Sequence, residues 1–256
     1  MGQTIRNFSA FSMKKIAFVT LFPDWIQHSL SQSMMARAEA SGIVEFSAVN
    51  PRNFCYDPNK KVDDICYGGH PGMLMKAEPV ALAIESLLGN HAHPFEDSRT
   101  PSTSEGEKFT TAIVLTEPSG TKFEQPQAQE LSEYDEIIFV CGHYEGIDHR
   151  IEETFATHIF SIGDYVLTNG ELPALVMADA VVRLLPGVLG NQDSLEEESF
   201  QNNLLGAPNY TRPEVWRDKS IPEVLKSGNH ALIEKWRKQQ ALERTMQRRP
   251  DLLEGK

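Results

Sequence analysis

The chain is short of cysteine, of long apolar runs and of basic side chains. Its 256 residues include three cysteines, none in a CxxC spacing, which argues against a disulfide scaffold and against a zinc site. No apolar run approaches the ~20 residues that cross a bilayer. The N-terminus also lacks the basic-then-apolar order of a secretory signal. These absences predict a protein of the reducing cytoplasm with no membrane partner and no set of metal ligands.

Acidic residues outnumber basic ones, and the net charge of −12 argues at first against a nucleic-acid partner. The basic residues are unevenly placed, however. Residues 207–256 hold 11 Lys and Arg against 7 Asp and Glu, whereas the other 206 residues hold 13 against 29. The C-terminal part is therefore the basic part of an acidic protein, although charged helical faces are usually only solvated.

Three glycine motifs of common nucleotide-binding and hydrolase folds are absent. The first predicted strand ends in TLFPDW with no GxGxxG turn, which disfavours a dinucleotide fold and an ordinary methyltransferase fold. A P-loop (GxxxxGK followed by Ser or Thr) and a GxSxG elbow are also missing. Their absence sets aside a phosphate-binding hydrolase.

Short β-rich apolar segments alternate with helical patterns along most of the chain. Strands are predicted over 15–22, 43–49, 112–116, 136–142 and 158–167, and helices over 25–40, 76–88, 125–133, 148–155 and 171–188. This alternation predicts an α/β fold with a mainly parallel sheet covered by helices on both faces. Asn169 is the candidate cap of the helix at 171–188, and Pro186 closes it.

Two segments fall outside this alternation. Residues 1–13 are polar and are expected to be a disordered extension, with Met13 a second possible start. Residues 90–110 are rich in Pro, Ser, Thr and charge without any period, which predicts an insertion loop.

Composition also predicts the division into domains. Residues 14–190 form the α/β domain, and the Asn-rich, Pro-interrupted stretch 191–208 is predicted to be a flexible linker. Residues 209–256 are predicted to form a small all-helical domain, whose last helix runs from Asn229 to Lys256 and carries most of the basic charge.

Glycine collects at the carboxyl ends of the predicted strands. The segments are EPSG at 117–120, CGHYEGID at 141–148, SIGDYVLTNGELP at 161–173 and YGGHPGM at 67–73. Ligands of parallel α/β sheets bind at this edge, where glycine lets the backbone approach the ligand closely. Gly142 and Gly146 could equally shape only a turn, and Tyr144 and Tyr165 are more often packing residues than ligand platforms.

Arg183 stands in the apolar run ADAVVRLLPG. An arginine in such a context normally has a carboxylate or phosphate partner. An equally common explanation is that its charged end reaches solvent along an apolar stem. Asp164, next to Gly163, could hydrogen-bond only its own turn.

Six segments, taken in order, resemble the pattern of the bacterial tRNA (guanine-N(1)-)-methyltransferase family. They are YGGHPGMLM, CGHYEGIDHRIEE, SIGDYVLTNGELPALV, RLLPGVLGN, PNYTRPEVW and LKSGNHALIEKWR. The resemblance runs from Lys14 to Leu253, with the 90–110 insertion outside it. It implies an α/β fold with a C-terminal trefoil knot (the SPOUT class), an exception to the usual no-knot rule. It also implies that the small C-terminal domain grips tRNA.

The resemblance implies an activity as well. The family transfers a methyl group from S-adenosylmethionine to ring nitrogen 1 of guanine at position 37 of tRNA, when the preceding base is also guanine. It acts as a homodimer whose active sites are shared between subunits. Magnesium is implied as a requirement of the family, although the sequence shows no dedicated ligands for it.

The resemblance assigns site residues by position. Those matching the family's cofactor loops are Leu115, Thr116, Pro118, Gly142, Tyr144, Glu145, Gly146, Ile162, Gly163, Asp164, Tyr165, Val166, Leu167 and Gly170. Arg183 matches the catalytic arginine, and Glu198 matches the general-base aspartate with a stem one methylene longer. The reaction needs a carboxylate that removes the guanine N1 proton. It also needs a positive group, here an arginine, that stabilises the charge on the guanine oxygen.

Two other functions stay open beside this one. A knotted methyltransferase could act on a different RNA nucleotide, although the GELP and YTRPEVW segments speak against that. The chain could also be a catalytically silent RNA-binding dimer if Glu198 does not act as the base. Glu198 is favoured over Asp193 and Glu197 for that role.

Overall fold

The structure is a computed structural model that describes residues 13–69, 71–89, 110–189 and 198–254. The chain divides into two compact units, residues 1–189 and 190–256. The predicted extension, the 90–110 insertion and the start of the 191–208 linker lie largely outside the described residues, so their character stays a prediction. No helix among the described residues is long and apolar enough to cross a membrane.

The first unit is built on a five-stranded sheet in the order β2-β1-β6-β5-β7, in which every neighbouring pair is parallel. The seven strands of the whole unit are β1 Lys14–Val19, β2 Val44–Val49, β3 Asp63–Ile65, β4 Met73–Met75, β5 Thr111–Lys122, β6 Glu136–Cys141 and β7 His158–Ser161. β3 and β4 form a separate antiparallel pair that the sequence did not predict. The α/β class with a mainly parallel sheet is confirmed, and the trefoil knot stays a prediction.

Helices cover both faces of the sheet because its strands are apolar on both sides. They are α1 Pro23–Leu30, α2 Ser33–Ala40, α3 Ala77–Leu88, α4 Gln125–Ser132, α5 Arg150–Phe155 and α6 Glu171–Val182. Alternate strand residues point to opposite faces. Phe18 and Phe139 stack at 5.4 Å and pack with α1, α2, α4 and α6. Val19 and Val140 pack on the other face with α3 and α5.

The helix predicted over 25–40 is two helices, α1 and α2. The break falls at Ser31 and Gln32, and Ser33 takes a left-handed φ of 51° that a continuous helix excludes. The sequence gives little warning of this break, because the interrupted stretch contains neither Gly nor Pro.

The strand predicted over 158–167 and the helix predicted over 171–188 are both shorter than expected. The strand ends at Ser161, where a glycine turn begins, and the helix ends at Val182, before Pro186. The N-cap of α6 is Gly170 and not Asn169, so the predicted cap was wrong by one residue.

The second unit is mainly helical. Its long helix is α7 His230–Arg248, which Asn229 caps by accepting a hydrogen bond from the Leu232 N–H at 3.2 Å. The helix predicted to reach Lys256 ends at Arg248, because Pro250 cannot continue it. The unit also contains a short hairpin, β8 Val215–Trp216 and β9 Lys219–Ser220, which the all-helical prediction missed.

Thr245 of α7 is fully buried and holds the start of this unit to the helix. Its hydroxyl accepts from the Leu205 N–H at 2.9 Å and donates to the carbonyl of Ala241 at 2.7 Å. Both polar functions of the hydroxyl are therefore satisfied inside the unit.

Candidate functional site

A cavity of about 210 Å³ lies at the carboxyl ends of β5, β6 and β7, which are neighbours in the sheet. One water occupies ~30 Å³ in the liquid, so the cavity is sized for a ligand. Thirteen of the fourteen predicted cofactor residues line it: Leu115, Thr116, Pro118, Gly142, Tyr144, Glu145, Gly146, Ile162, Gly163, Tyr165, Val166, Leu167 and Gly170. Asp164 does not line it and is exposed to solvent.

The first wall is an interruption in the pairing of β5 with β7. Thr116 and Thr121 are both paired with Phe160, so residues 117–120 leave the ladder. A Cβ on Gly120 would lie 2.6 Å from the carbonyl carbon of Ile159, so only glycine fits where the strand rejoins. Bulges of this kind are common beside binding sites.

The second wall is the loop that follows β6, and β4 supports it from behind. The Glu145 N–H donates to the Met73 carbonyl at 2.9 Å, and the Met75 N–H donates to the Gly146 carbonyl at 3.0 Å. None of the described residues of the YGGHPGM segment lines the cavity, and the strand that follows from it, β4, braces the loop. Tyr144 takes a φ of 61°, a strained conformation that surrounding contacts must hold. One such contact is the hydrogen bond from Arg52 Nη2 to the Tyr144 hydroxyl at 3.2 Å.

The third wall runs from the end of β7 to the start of α6. The Ser161 hydroxyl donates to the Gly163 carbonyl at 3.0 Å. Gly163 has a φ of 153°, and a Cβ there would lie 2.5 Å from the ring of Tyr165. At the other end of the loop, the Gly170 carbonyl accepts from the Thr116 hydroxyl at 3.2 Å. The three walls therefore meet at Gly170.

The cavity lining contains two carboxylates and one imidazole, that of His143. Glu117 and Glu145 line it, and none of the described lining residues is Lys or Arg. Aromatic rings of Tyr144, Tyr165 and Phe160 contribute apolar surface. The cavity therefore suits a cationic ligand that also carries an apolar or aromatic part.

Comparisons with known proteins agree with this geometry. A sequence model described as tRNA (Guanine-1)-methyltransferase TrmD matches residues 13–255. The chain belongs to this family. Curated proteins named tRNA (guanine-N(1)-)-methyltransferase are similar over nearly their whole length. The Staphylococcus epidermidis protein is 46% identical over 240 residues, covering 94% of this chain and 91% of its own. The Moorella thermoacetica protein is 46% identical over 239 residues, covering 93% and 90%. The resemblance is thus confirmed.

Two polar residues in or beside the cavity of this methyltransferase were not predicted from the sequence to belong to the site. Glu171, the first residue of α6, is fully buried, and the Thr20 hydroxyl donates to its Oε1 at 2.6 Å. Burial raises the pKa of Glu171, against the opposing effects of the Thr20 bond and of nearby His143. Its Oε2 has no hydrogen-bond partner among the described residues, and the same holds for Oδ1 of Asn169, which lines the cavity. The sequence signal was GELP, a carboxylate opening an apolar helix.

Arg183 does not line the cavity of its own chain. It is half-buried and follows the last turn of α6, where its N–H donates to the Asp179 carbonyl at 3.2 Å. The thirteen steps along the helix from Gly170 to Arg183 span about 20 Å at 1.5 Å per residue. Leu185 shares a hollow with Lys14 and Asp135, which lie where β1 and β6 begin. The far end of α6 is therefore at the opposite edge of the sheet from the cavity.

Glu198 belongs to the second unit and is half-buried. The two carboxylates weighed against it, Asp193 and Glu197, lie outside the described residues. The assignment of the general base to Glu198 thus stays a prediction.

No group of three or more His, Cys, Asp or Glu side chains in the described ranges is placed to hold a metal ion. The three cysteines, Cys55, Cys66 and Cys141, are all free thiols. The magnesium implied by the resemblance stays a prediction.

Proposed function

We propose that this chain transfers the methyl group of S-adenosylmethionine to ring nitrogen 1 of guanine 37 in tRNA. Family membership supports the coarser part, methylation of guanine N1 in tRNA. The donor, the position and the catalytic groups are the proposal. The acidic cavity with three glycine-shaped walls is the observation that carries it.

The residues of the cavity fit S-adenosylmethionine. When bound, this cofactor supplies an electrophilic methyl group on a positively charged sulfur. Glu117 and Glu145 provide the opposite charge, which favours a cation over an anionic ligand such as a nucleotide phosphate. Gly142, Gly163 and Gly170 keep the walls free of Cβ atoms, so that backbone N–H and carbonyl groups can reach the ligand.

Two further side chains carry the proton and the charge of the guanine. Glu198 takes the N1 proton, which frees the nitrogen lone pair to form the new N–CH₃ bond while the carbon–sulfur bond breaks. Arg183 stabilises the negative charge that then develops on the guanine oxygen. A positioned general base contributes about 10²- to 10⁴-fold to the rate of such a step, and fixed charge near the oxygen adds to it.

The distance of Arg183 from the cavity supports a dimer. One face of α6 carries Leu172, Val176, Asp179 and Arg183, because successive members of this set are four, three and four residues apart. Leu172 is 44% exposed and Val176 50%, so the described part of one chain leaves the apolar half of this face, at the cavity end of α6, uncovered. An exposed apolar helix face that begins beside the cavity marks a surface for association.

A second copy of the chain would complete the site. In a two-fold dimer each surface patch meets its own copy. If the two α6 helices run antiparallel with Val176 near the axis, the partner's Arg183 lies near Leu172, at the cavity end. This arrangement explains how a residue about 20 Å from the cavity in its own chain acts in catalysis.

Methyl transfer from labelled S-adenosylmethionine to a tRNA transcript with guanine at positions 36 and 37 tests the function. We expect label to appear in tRNA and to be recovered as 1-methylguanosine, and a transcript with adenosine at position 37 to stay unlabelled. Absence of transfer to the first transcript, or label in another nucleoside, would overturn the proposal.

A further inference from the structure

The hairpin β8–β9 presents an exposed tryptophan next to its turn. Trp216 pairs with Lys219 across the two turn residues Arg217 and Asp218, whose φ values are 47° and 64°. Two left-handed residues are the mark of a type I′ turn, which suits the twist of a hairpin. All residues from 209 to 220 are exposed. The fold therefore fixes the position of Trp216 without burying it.

One face of the Trp216 ring is engaged and the side chain remains open. The guanidinium carbon of Arg217 lies 4.7 Å from the ring centroid, within cation–π range. Trp216 is nevertheless 57% exposed. A large aromatic side chain held this way at a hairpin turn stays mostly outside the core of its unit and is accessible to a ligand.

The charges around the ring favour RNA as that ligand. Arg212, Arg217 and Lys219 flank it, against Glu214 and Asp218. The Glu214 carboxylate forms an ion pair with the Lys226 ammonium at 3.6 Å. Its negative charge is therefore partly neutralised and offsets the charge of the three basic residues less. An aromatic face beside arginine and lysine is how proteins bind unpaired bases while tracking the phosphate backbone.

We propose that Trp216 is a stacking platform for an unpaired base of the tRNA, with Arg217 beneath the ring and Lys219 beside the phosphate backbone. The proposal rests on the proposed function in taking tRNA as the substrate. It goes further by assigning one aromatic contact to the basic C-terminal unit.

Binding of the tRNA transcript to the full chain, measured without turnover at fixed salt, tests the platform. Trp216→Ala should weaken binding about 10-fold, the size of one lost base–aromatic stack. Trp216→Phe keeps a ring and should stay close to wild type. Val215→Ala is the matched control, since Val215 is on the same strand and is also 57% exposed. Because Trp216 carries no charge, Trp216→Ala should keep the slope of affinity against salt, whereas Lys219→Ala should reduce that slope by about one.

Fluorescence gives a direct readout of stacking. The chain has three tryptophans, Trp25, Trp216 and Trp236. We expect tRNA to quench the emission of the wild-type protein and to quench that of Trp216→Phe much less. Equal quenching in both, or wild-type affinity in Trp216→Ala, would overturn the proposal.

A protein partner is the competing occupant of the hairpin. If Trp216→Ala weakens tRNA binding only because the dimer dissociates, measured by sedimentation, the hairpin is a protein contact and the proposal fails. Binding is read without methyl transfer, so a failure of the proposed function would appear separately, as tRNA that binds and is not methylated.

Discussion

The backbone N–H of Gly170 donates to the carbonyl oxygen of Gly142 at 2.8 Å. This bond ties the turn before α6 to the loop after β6. A side chain at position 170 would meet the Thr116 oxygen at 2.3 Å and the Gly142 nitrogen at 2.8 Å. The cavity walls can approach one another this closely only because residue 170 is glycine.

Gly170→Ala should therefore open the cavity and weaken S-adenosylmethionine binding. Overpacking costs about 1–3 kcal/mol, and every 1.4 kcal/mol is about tenfold in affinity. We expect a loss of roughly tenfold or more by calorimetry. Gly142→Ala is the control for folding, because its Cβ would meet no protein atom nearer than 3.5 Å and should leave thermal unfolding unchanged. Wild-type cofactor affinity in Gly170→Ala would contradict this role.

Glu198→Gln should abolish proton removal from guanine while leaving cofactor binding intact. We expect the turnover number to fall about 10²- to 10⁴-fold, as for loss of a general base. Glu198→Asp keeps the carboxylate and should retain part of the activity. If Glu198→Gln turns over at the wild-type rate, the proton goes to another group.

Val176→Glu should separate the proposed dimer. A carboxylate buried in an apolar interface without a partner is costly, because its hydration is lost. We expect sedimentation of a monomer and loss of methyl transfer. Leu242→Glu, on α7 with 44% exposure, is the control and should remain dimeric. A Val176→Glu protein that stays dimeric would place the interface on another surface.

Glu171 should make stability fall as the pH rises through the raised pKa of its carboxyl group. Because burial raises its pKa in the folded state, the folded chain holds this proton at pH values where the unfolded chain has released it. Glu171 therefore adds its full contribution to the free energy of unfolding at pH values below the ordinary carboxyl pKa. That contribution is lost as the pH rises through the raised pKa of the folded state. Glu171→Gln cannot titrate, so urea unfolding at a series of pH values should give it a flatter pH profile than wild type. Parallel profiles would show that Glu171 is not the source.

Local signals in the sequence predicted the parallel sheet and most of the cavity. Apolar segments marked the strands, and glycine at their carboxyl ends marked the walls. Asp164, which the family resemblance and not the glycine pattern assigned to the cavity, does not line it and is exposed to solvent.

The features that were missed depend on distant residues or on very short elements. Glu171 is bonded to Thr20, 151 positions away in the chain, and no local pattern reports such a pair. The strands of the Trp216 hairpin have two residues each, too few for any periodicity. The bulge of β5 depends on its register with β7, which is set only when the sheet forms.

Mixed dimers of Gly170→Ala and Arg183→Ala test the central claim, that each methyl-transfer site joins the cavity of one chain to the partner's Arg183. With S-adenosylmethionine held far below the Kd expected of Gly170→Ala, each variant alone should have little activity. In a mixed dimer the Arg183→Ala chain offers an intact cavity and the Gly170→Ala chain an intact arginine, so one site is whole. With random mixing of a two-fold dimer, about a quarter of the wild-type methyl transfer should return. If the mixture is no more active than either variant alone, Arg183 does not act across a dimer interface and the account is wrong.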